Sequence, residues 1–279
     1  MAIHGQSEPI APEMQALKER LKATWEAGDY GHFSQYLEPG ALEFFERLQI
    51  PPGVKMLDLA CGAGQLTIPA ARRGIHVIGL DLAQNLVDRA NERLRAENLE
   101  GEVIQGDAED LPFEDNSFDV VLTLIGAMFA PRPHLVAKEM LRVCRPGGQI
   151  IMGNWTPTGT IGELFKVVAK HVPPPPIFPA PVLWGTKEAV EERLGQGLSE
   201  LRMTARMYPF RFPFGPSDVA DWFIAYYGPT HRAFNTLEGA ARDAFRQDLI
   251  EFWTRVNTGS ENETTMQAEY LEVIGTVRA

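Results

Sequence analysis

The chain has 279 residues, 44% of them apolar and 23% charged, enough for one large globular domain or a domain with a cap. Its net charge of -11 speaks against a nucleic-acid partner, whose phosphates call for a basic surface. Two cysteines, Cys61 and Cys144, are too few for a disulfide framework or a cysteine-rich metal centre, so a reducing, cytoplasmic setting is expected.

Residues 1–12 read as a loose tail, without the basic stretch and apolar core of a secretory signal. A helix is expected from Glu13, because Met14, Leu17, Leu21 and Trp25 recur at helical spacing before Gly28. A second short helix is expected over 41–48, and Pro51, Pro52 and Gly53 then punctuate the chain. From there strand and helix patterns alternate. Strands are expected at 54–60, 75–80, 102–105 and 118–124, and again at 149–153 after an RPGG turn at 145–148. Helices are expected at 65–73 and 135–144, and Leu82, Leu86, Ala90 and Leu94 form another helix face. Such alternation implies right-handed crossovers and an open, doubly wound parallel sheet. The apolar run at 120–130 is well short of the roughly 20 residues that span a bilayer. After Trp155 the pattern breaks. Six prolines crowd into 173–181 as an extended connector. A strand is expected over 198–212, helices over 216–227 and 232–256, and a last strand over 270–277. In the second of those helices Phe234, Leu237, Ala241, Phe245, Leu249 and Phe252 share one face.

The motifs sit at the strand ends. VKMLDLACGAG (54–64) carries an aspartate, Asp58, just before a glycine turn at Gly62 and Gly64. Such a turn lets a helix start approach a ligand closely, but the third position of a GxGxxG signature is here Thr67. Asp58 would repel a pyrophosphate and suits an ammonium, or it organises the loop. Asp81 ends the second strand pattern, 17 residues after Gly64, at the spacing that lets a carboxylate accept from vicinal ribose hydroxyls. As a plainer role, it caps the helix that follows. Asp107, in GDAEDLPF, ends the third strand pattern and suits an exocyclic amine, or it simply makes a turn.

VKMLDLACGAG, VIGLDL, GDAEDLPF, NSFDVVLT and RVCRPGGQI occur in that order at family-like spacing. In this the chain resembles the class I S-adenosylmethionine-dependent methyltransferases, and within them the small-molecule, ubiquinone/menaquinone-biosynthesis-like branch. The resemblance implies an α/β fold: a Rossmann-like seven-stranded sheet, its last strand antiparallel, with N-terminal helices and a C-terminal helical cap insertion. It implies a helical lid over 1–50, a cofactor-binding core over 51–155, and a cap and acceptor region with the final strands over 156–279. By motif, Ala60, Gly62 and Gly64 would line the methionine portion of S-adenosylmethionine, with Asp58 organising the loop beneath it. Asp81 would hold the ribose, Leu82 would pack on adenine, and Asp107 and Ala108 would meet the adenine edge. Leu124 would offer its carbonyl to the ammonium. Tyr30, in WEAGDYGHF, would close over the cofactor.

The reaction implied is in-line methyl transfer to a small, apolar or aromatic metabolite, leaving S-adenosylhomocysteine. Holding donor and acceptor in line does most of the work, so no catalytic residue need be visible. His134 and His231 are possible bases, though each more often serves as a surface or capping histidine. Cys61 reads as a small residue in a tight turn. Met128 and Phe129 sit where an acceptor enters. The aromatic C-terminal third, with Trp184, Phe210, Phe212, Phe214, Trp222, Tyr226 and Tyr227, reads as a cap over an apolar pocket or as ordinary core. Two alternatives stay open: a nicotinamide-dependent oxidoreductase, against which Asp58 and the missing glycine speak, and a non-catalytic cofactor-binding protein on the same scaffold.

Overall fold

A computed structural model of the protein describes residues 10–279. Most of the expected N-terminal tail, residues 1–9, lies outside the described residues, and Pro12 already begins the first helix. In chain order the elements are α1 (Pro12–Trp25), α2 (Tyr30–Phe33), α3 (Glu38–Leu48), β1 (Lys55–Leu59), α4 (Thr67–Arg72), β2 (His76–Asp81), α5 (Gln84–Ala96), β3 (Glu102–Gln105), β4 (Phe118–Leu124), α6 (Pro133–Val143) and β5 (Cys144–Trp155). The C-terminal part adds α7 (Thr160–His171), α8 (Lys187–Leu194), β6 (Leu198–Phe212), α9 (Pro216–Tyr226), α10 (Gly228–Asn235), α11 (Gly239–Val256) and β7 (Thr264–Val277).

The strands form one seven-stranded sheet in the order β3-β2-β1-β4-β5-β7-β6. β1 to β5 run parallel, and β7 lies antiparallel between β5 and β6. β1 buries Met56, Leu57 and Leu59 completely, as a strand covered on both faces must. The chain leaves β1 for β2 on one side and later returns to β4 on the other. This reversal opens a crevice beyond the carboxyl ends of β1 and β4. Ile68, Val87, Ala90 and Leu94 of α4 and α5 pack with Val103 of β3.

Three expectations need correction. The RPGG stretch does not separate a helix from a strand: Cys144 already pairs with Phe118, and the ladder resumes at Gln149 opposite Val120 after a register shift, so it is a bulge within β5. The single helix expected over 232–256 is two helices. Thr236 closes α10 by donating its hydroxyl to the Ala233 carbonyl at 2.7 Å, and Gly239, at φ +51°, restarts the chain as α11. Phe234 therefore belongs to a different helix from Phe245 and Phe252. The segment after Trp155 also holds two helices that the break in pattern concealed, α7 and α8. The second is capped by Thr186, whose hydroxyl accepts from the Ala189 amide.

Candidate functional site

A cavity lies in the crevice, floored by the turn after β1 and roofed by α1, α2 and the α9–α10 junction. The turn is held by its own backbone. The Cys61 amide donates to the Leu80 carbonyl at 3.1 Å and the Gly64 amide to the Cys61 carbonyl at 3.0 Å. Gly62 has φ +57°, and a Cβ there would lie 2.8 Å from Gln65 Oε1 and 3.4 Å from Tyr30 Cε1, so only glycine keeps this cradle open. Gly64 faces elsewhere: a Cβ on it would meet Ala90 and Ile68 at 3.3 Å, and it does not line the cavity. Thr67, where a third glycine was sought, donates its hydroxyl to Asp58 Oδ2 at 2.6 Å and ties the start of α4 to β1.

The other nine residues singled out from sequence all line the cavity: Tyr30, Asp58, Ala60, Gly62, Asp81, Leu82, Asp107, Ala108 and Leu124. Asp58 and Asp81 are buried together. Burial lifts the Asp58 carboxyl to about 7, with the Asp81 charge adding to the shift and Thr67 opposing it. Burial likewise raises the Asp81 carboxyl, although its Oδ2 accepts from the Gly62 amide at 2.8 Å and its Oδ1 from the Ala83 amide at 3.0 Å. Among the described residues no arginine or lysine side chain neutralises either acid. Asp107 is half-exposed; it accepts from the Glu109 amide at 2.9 Å and pairs with Lys18 of α1.

Several residues of the site carried no readable signal. Lys18 also pairs with Glu109 at 2.8 Å. The Glu109 side chain is fully buried and additionally holds Arg132 through its backbone amide at 2.6 Å and its Nε at 2.8 Å. α1 is thus pinned beyond the end of β3. Trp25, at the end of α1, packs edge-on to Tyr30, Phe129 and Tyr227. Two non-glycine residues at the cavity adopt positive φ, Ala60 at +56° and Ile125 at +70°. For a β-branched residue such as Ile125 this is a strained conformation, of the kind that collects at ligand sites. Ile125 is held in it by its amide, which donates to the Gly153 carbonyl at 2.7 Å.

Beyond the acids the wall becomes aromatic. Trp155 at the end of β5 meets Tyr208 and Phe210 of β6 at 5.3 and 5.9 Å. Phe165, Phe223 and Tyr227 continue the lining. Of the C-terminal aromatics named from sequence, only Phe210 and Tyr227 reach the cavity; Trp184, for example, stacks beneath Arg193. Phe129 lines the cavity, whereas Met128 is core. His134 is exposed, the His231 ring meets the Ile224 carbonyl at 3.0 Å, and neither lines the cavity. Cys61 is buried, and burial beside Asp58 pushes its thiol up, away from nucleophilic ionisation.

Residues 57–152 match a methyltransferase domain family. An uncharacterized protein of Mycobacterium tuberculosis strain H37Rv is 37% identical over 228 residues, which cover 81% of this chain and 83% of that protein. A demethylmenaquinone methyltransferase of Lactobacillus johnsonii is 40% identical over 128 residues, 44% of this chain and 52% of that enzyme. Among solved structures, the fold is similar to phosphoethanolamine N-methyltransferase 2 of Haemonchus contortus in complex with S-adenosyl-L-methionine. That likeness has a TM-score of 0.55 at 18% identity, over 86% of this chain and 52% of that one. With the sheet order and the strand-end motifs, these relationships show that the chain belongs to the class I S-adenosylmethionine-dependent methyltransferases of the small-molecule type and shares a family with the mycobacterial protein.

Proposed function

We propose that the protein binds S-adenosylmethionine in this cavity and transfers its methyl group to a small, apolar or aromatic metabolite. One observation carries the reading: Asp58, Asp81 and Asp107, at the ends of three neighbouring strands, surround one glycine cradle that opens onto an aromatic chamber. The residues fit this cofactor. The cradle at Gly62 leaves room that a Cβ would fill, and the two buried acids have no cationic partner among the described residues. A ligand with an ammonium, a sulfonium and a ribose diol supplies the missing positive charge and donors.

When bound, S-adenosylmethionine supplies an electrophilic methyl group on a positively charged sulfur. The chain's own residues hold and align. Asp81 has lone pairs left after Gly62 and Ala83 to accept from the ribose hydroxyls, and Leu82 flanks the adenine. Asp107 and Ala108 face the adenine edge. Ala60, Gly62 and the Leu124 carbonyl border the methionine portion, with Gly64 shaping the turn and Asp58 anchoring it through Thr67. Tyr30 and Trp25 close over the cradle and exclude water. In this reading 51–155 holds the donor, and 1–50 and 156–279 close over it and shape the acceptor side. The two free, buried cysteines fit a reducing, cytoplasmic setting.

Calorimetry with S-adenosylhomocysteine tests the donor site. Asp81→Ala should weaken binding by about 1–3 kcal/mol, the scale of lost charge-assisted hydrogen bonds. An unchanged affinity sinks the ribose assignment. Tight binding of NADH in place of S-adenosylhomocysteine would overturn the methyl-transfer reading. Methyl transfer in an acceptor screen separates an enzyme from a cofactor-binding protein.

A further inference from the structure

We infer that Tyr227 determines acceptor specificity, its hydroxyl donating a hydrogen bond to an oxygen of an uncharged, largely apolar acceptor; this rests on the methyl-transfer reading above. Tyr227 stands at the α9–α10 junction and is only 9% exposed. Its ring is fixed by aromatic neighbours, with centroids at 4.9 Å to Phe33, 5.5 Å to Phe223, 6.0 Å to Trp25 and 6.4 Å to Tyr30. The position of the hydroxyl is therefore set before any ligand arrives.

Among the described residues that hydroxyl makes no hydrogen bond, and it is not one of their enclosed unpaired groups, so it is open to the cavity that Tyr227 lines. The contrast with its neighbour is direct, because the Tyr208 hydroxyl, also at the cavity, donates to the Leu37 carbonyl. A phenol that opens on a cavity and has no protein partner is free to bond an oxygen of a ligand in place of water. Burial and the adjacent Tyr30 phenol keep Tyr227 protonated, so it serves as a donor and not as a base. Tyr30 is also without a partner, but its ring stands over Gly62 and beside Asp81, on the donor side. The Tyr227 ring packs on Phe223, part of the chamber wall.

The charges around the chamber define what it accepts. Leu164, Phe165, Trp155, Phe210 and Phe223 line it with no formal charge. The nearest acids, Asp58 and Asp81, repel a carboxylate or a phosphate. Lys18, the cation at the cavity, is already committed to Asp107 and Glu109. An anionic acceptor thus loses its hydration and gains no countercharge from the chain, which is costly. An uncharged ring or chain bearing one oxygen loses little and satisfies Tyr227.

The test uses three matched probes on the full chain loaded with S-adenosylhomocysteine: naphthalene, 2-naphthol and 2-naphthoate, titrated by calorimetry. The wild type should bind 2-naphthol about fivefold or more tightly than naphthalene, the scale of one net hydrogen bond. It should bind 2-naphthoate at least about tenfold more weakly than 2-naphthol. Tyr227→Phe should erase the preference for 2-naphthol over naphthalene while leaving S-adenosylhomocysteine affinity and the melting temperature unchanged. Tyr226→Phe, whose ring packs on Trp222 and His32 outside the cavity, should keep the preference. Equal or tighter binding of 2-naphthoate, an unaltered preference in Tyr227→Phe, or no binding of any probe to the loaded protein overturns the inference. Failure to bind S-adenosylhomocysteine instead overturns the donor reading beneath it.

Discussion

Asp58 holds its proton to about pH 7 because burial disfavours the carboxylate more than Thr67 favours it. In the unfolded chain the same group ionises near its ordinary value of 3.8. Between these values the folded protein binds more protons than the unfolded one. The stability this group contributes is therefore full below its unfolded pKa and lost as pH rises through about 7. Asp58→Asn, which keeps an acceptor for Thr67, should flatten that part of the stability curve in urea titrations at about pH 5 and about pH 8. A ligand carrying an ammonium favours the ionised form. Binding of S-adenosylhomocysteine should thus release a proton near neutrality and tighten as pH rises through about 7. Calorimetry in two buffers of different protonation enthalpy reads the proton directly; no buffer dependence would mean that Asp58 does not feel the ligand's charge. The aspartates were legible because each closes a strand pattern at a fixed offset from glycine. Lys18 and Glu109 were not, because a lysine on an amphipathic helix and an acid in a turn look like ordinary surface residues.

At the scale of elements, α1 is fastened at its middle and its C-terminal end. Lys18 ties its middle to Asp107 and Glu109, and Arg232 of α10 donates to the Arg20 carbonyl at 3.0 Å and the Thr24 hydroxyl at 3.3 Å. Glu109 is the anchor. Its side chain is fully buried between Lys18 and Arg132, which retain only 12% and 19% exposure. Removing the acid strands Arg132 and leaves Lys18 only Asp107, so Glu109→Gln should lower stability by about 3 kcal/mol in denaturant unfolding, the scale of a broken buried pair. Lys18→Met leaves the Glu109–Arg132 pair intact. It should cost less stability but speed dissociation of S-adenosylhomocysteine in stopped-flow fluorescence of Trp25; an unchanged off-rate would argue that α1 is only packing. The strands and helices over 54–143 were readable because each is local and periodic; the bulge at 145–148 was not, because its proline and glycines look like a turn. The break at 236–238 was not, because Leu237 carries the apolar period straight across it. The hydroxyl of Thr236 and the positive φ of Gly239 end one helix and start the next without disturbing that spacing.

Across the whole molecule, the parallel strands carry the acidic side of the cavity, and the antiparallel pair β6–β7 brings the C-terminal third back to it. β5 pairs with β7 from Gln149↔Thr276 to Trp155↔Tyr270, and β6 pairs with β7 along its length. This register sets Tyr208 and Phe210 beside Trp155. Hydrogen exchange should show the strongest protection in β1, β4 and β5. S-adenosylhomocysteine should add most protection in α1, α9 and α10, the elements that close the cavity. Added protection confined to the sheet would show that these helices do not respond to the ligand. By itself the sequence determined the acidic edge of the cavity: an apolar strand, a glycine turn and three acids lie within one stretch of chain, where spacing alone records them. Only the tertiary structure decided the aromatic chamber. Phe33, Trp155, Tyr208 and Tyr227 meet there from distant parts of the chain, and a contact made across such separations leaves no period to read. Which hydroxyl among them stays without a partner is a property of packing in three dimensions.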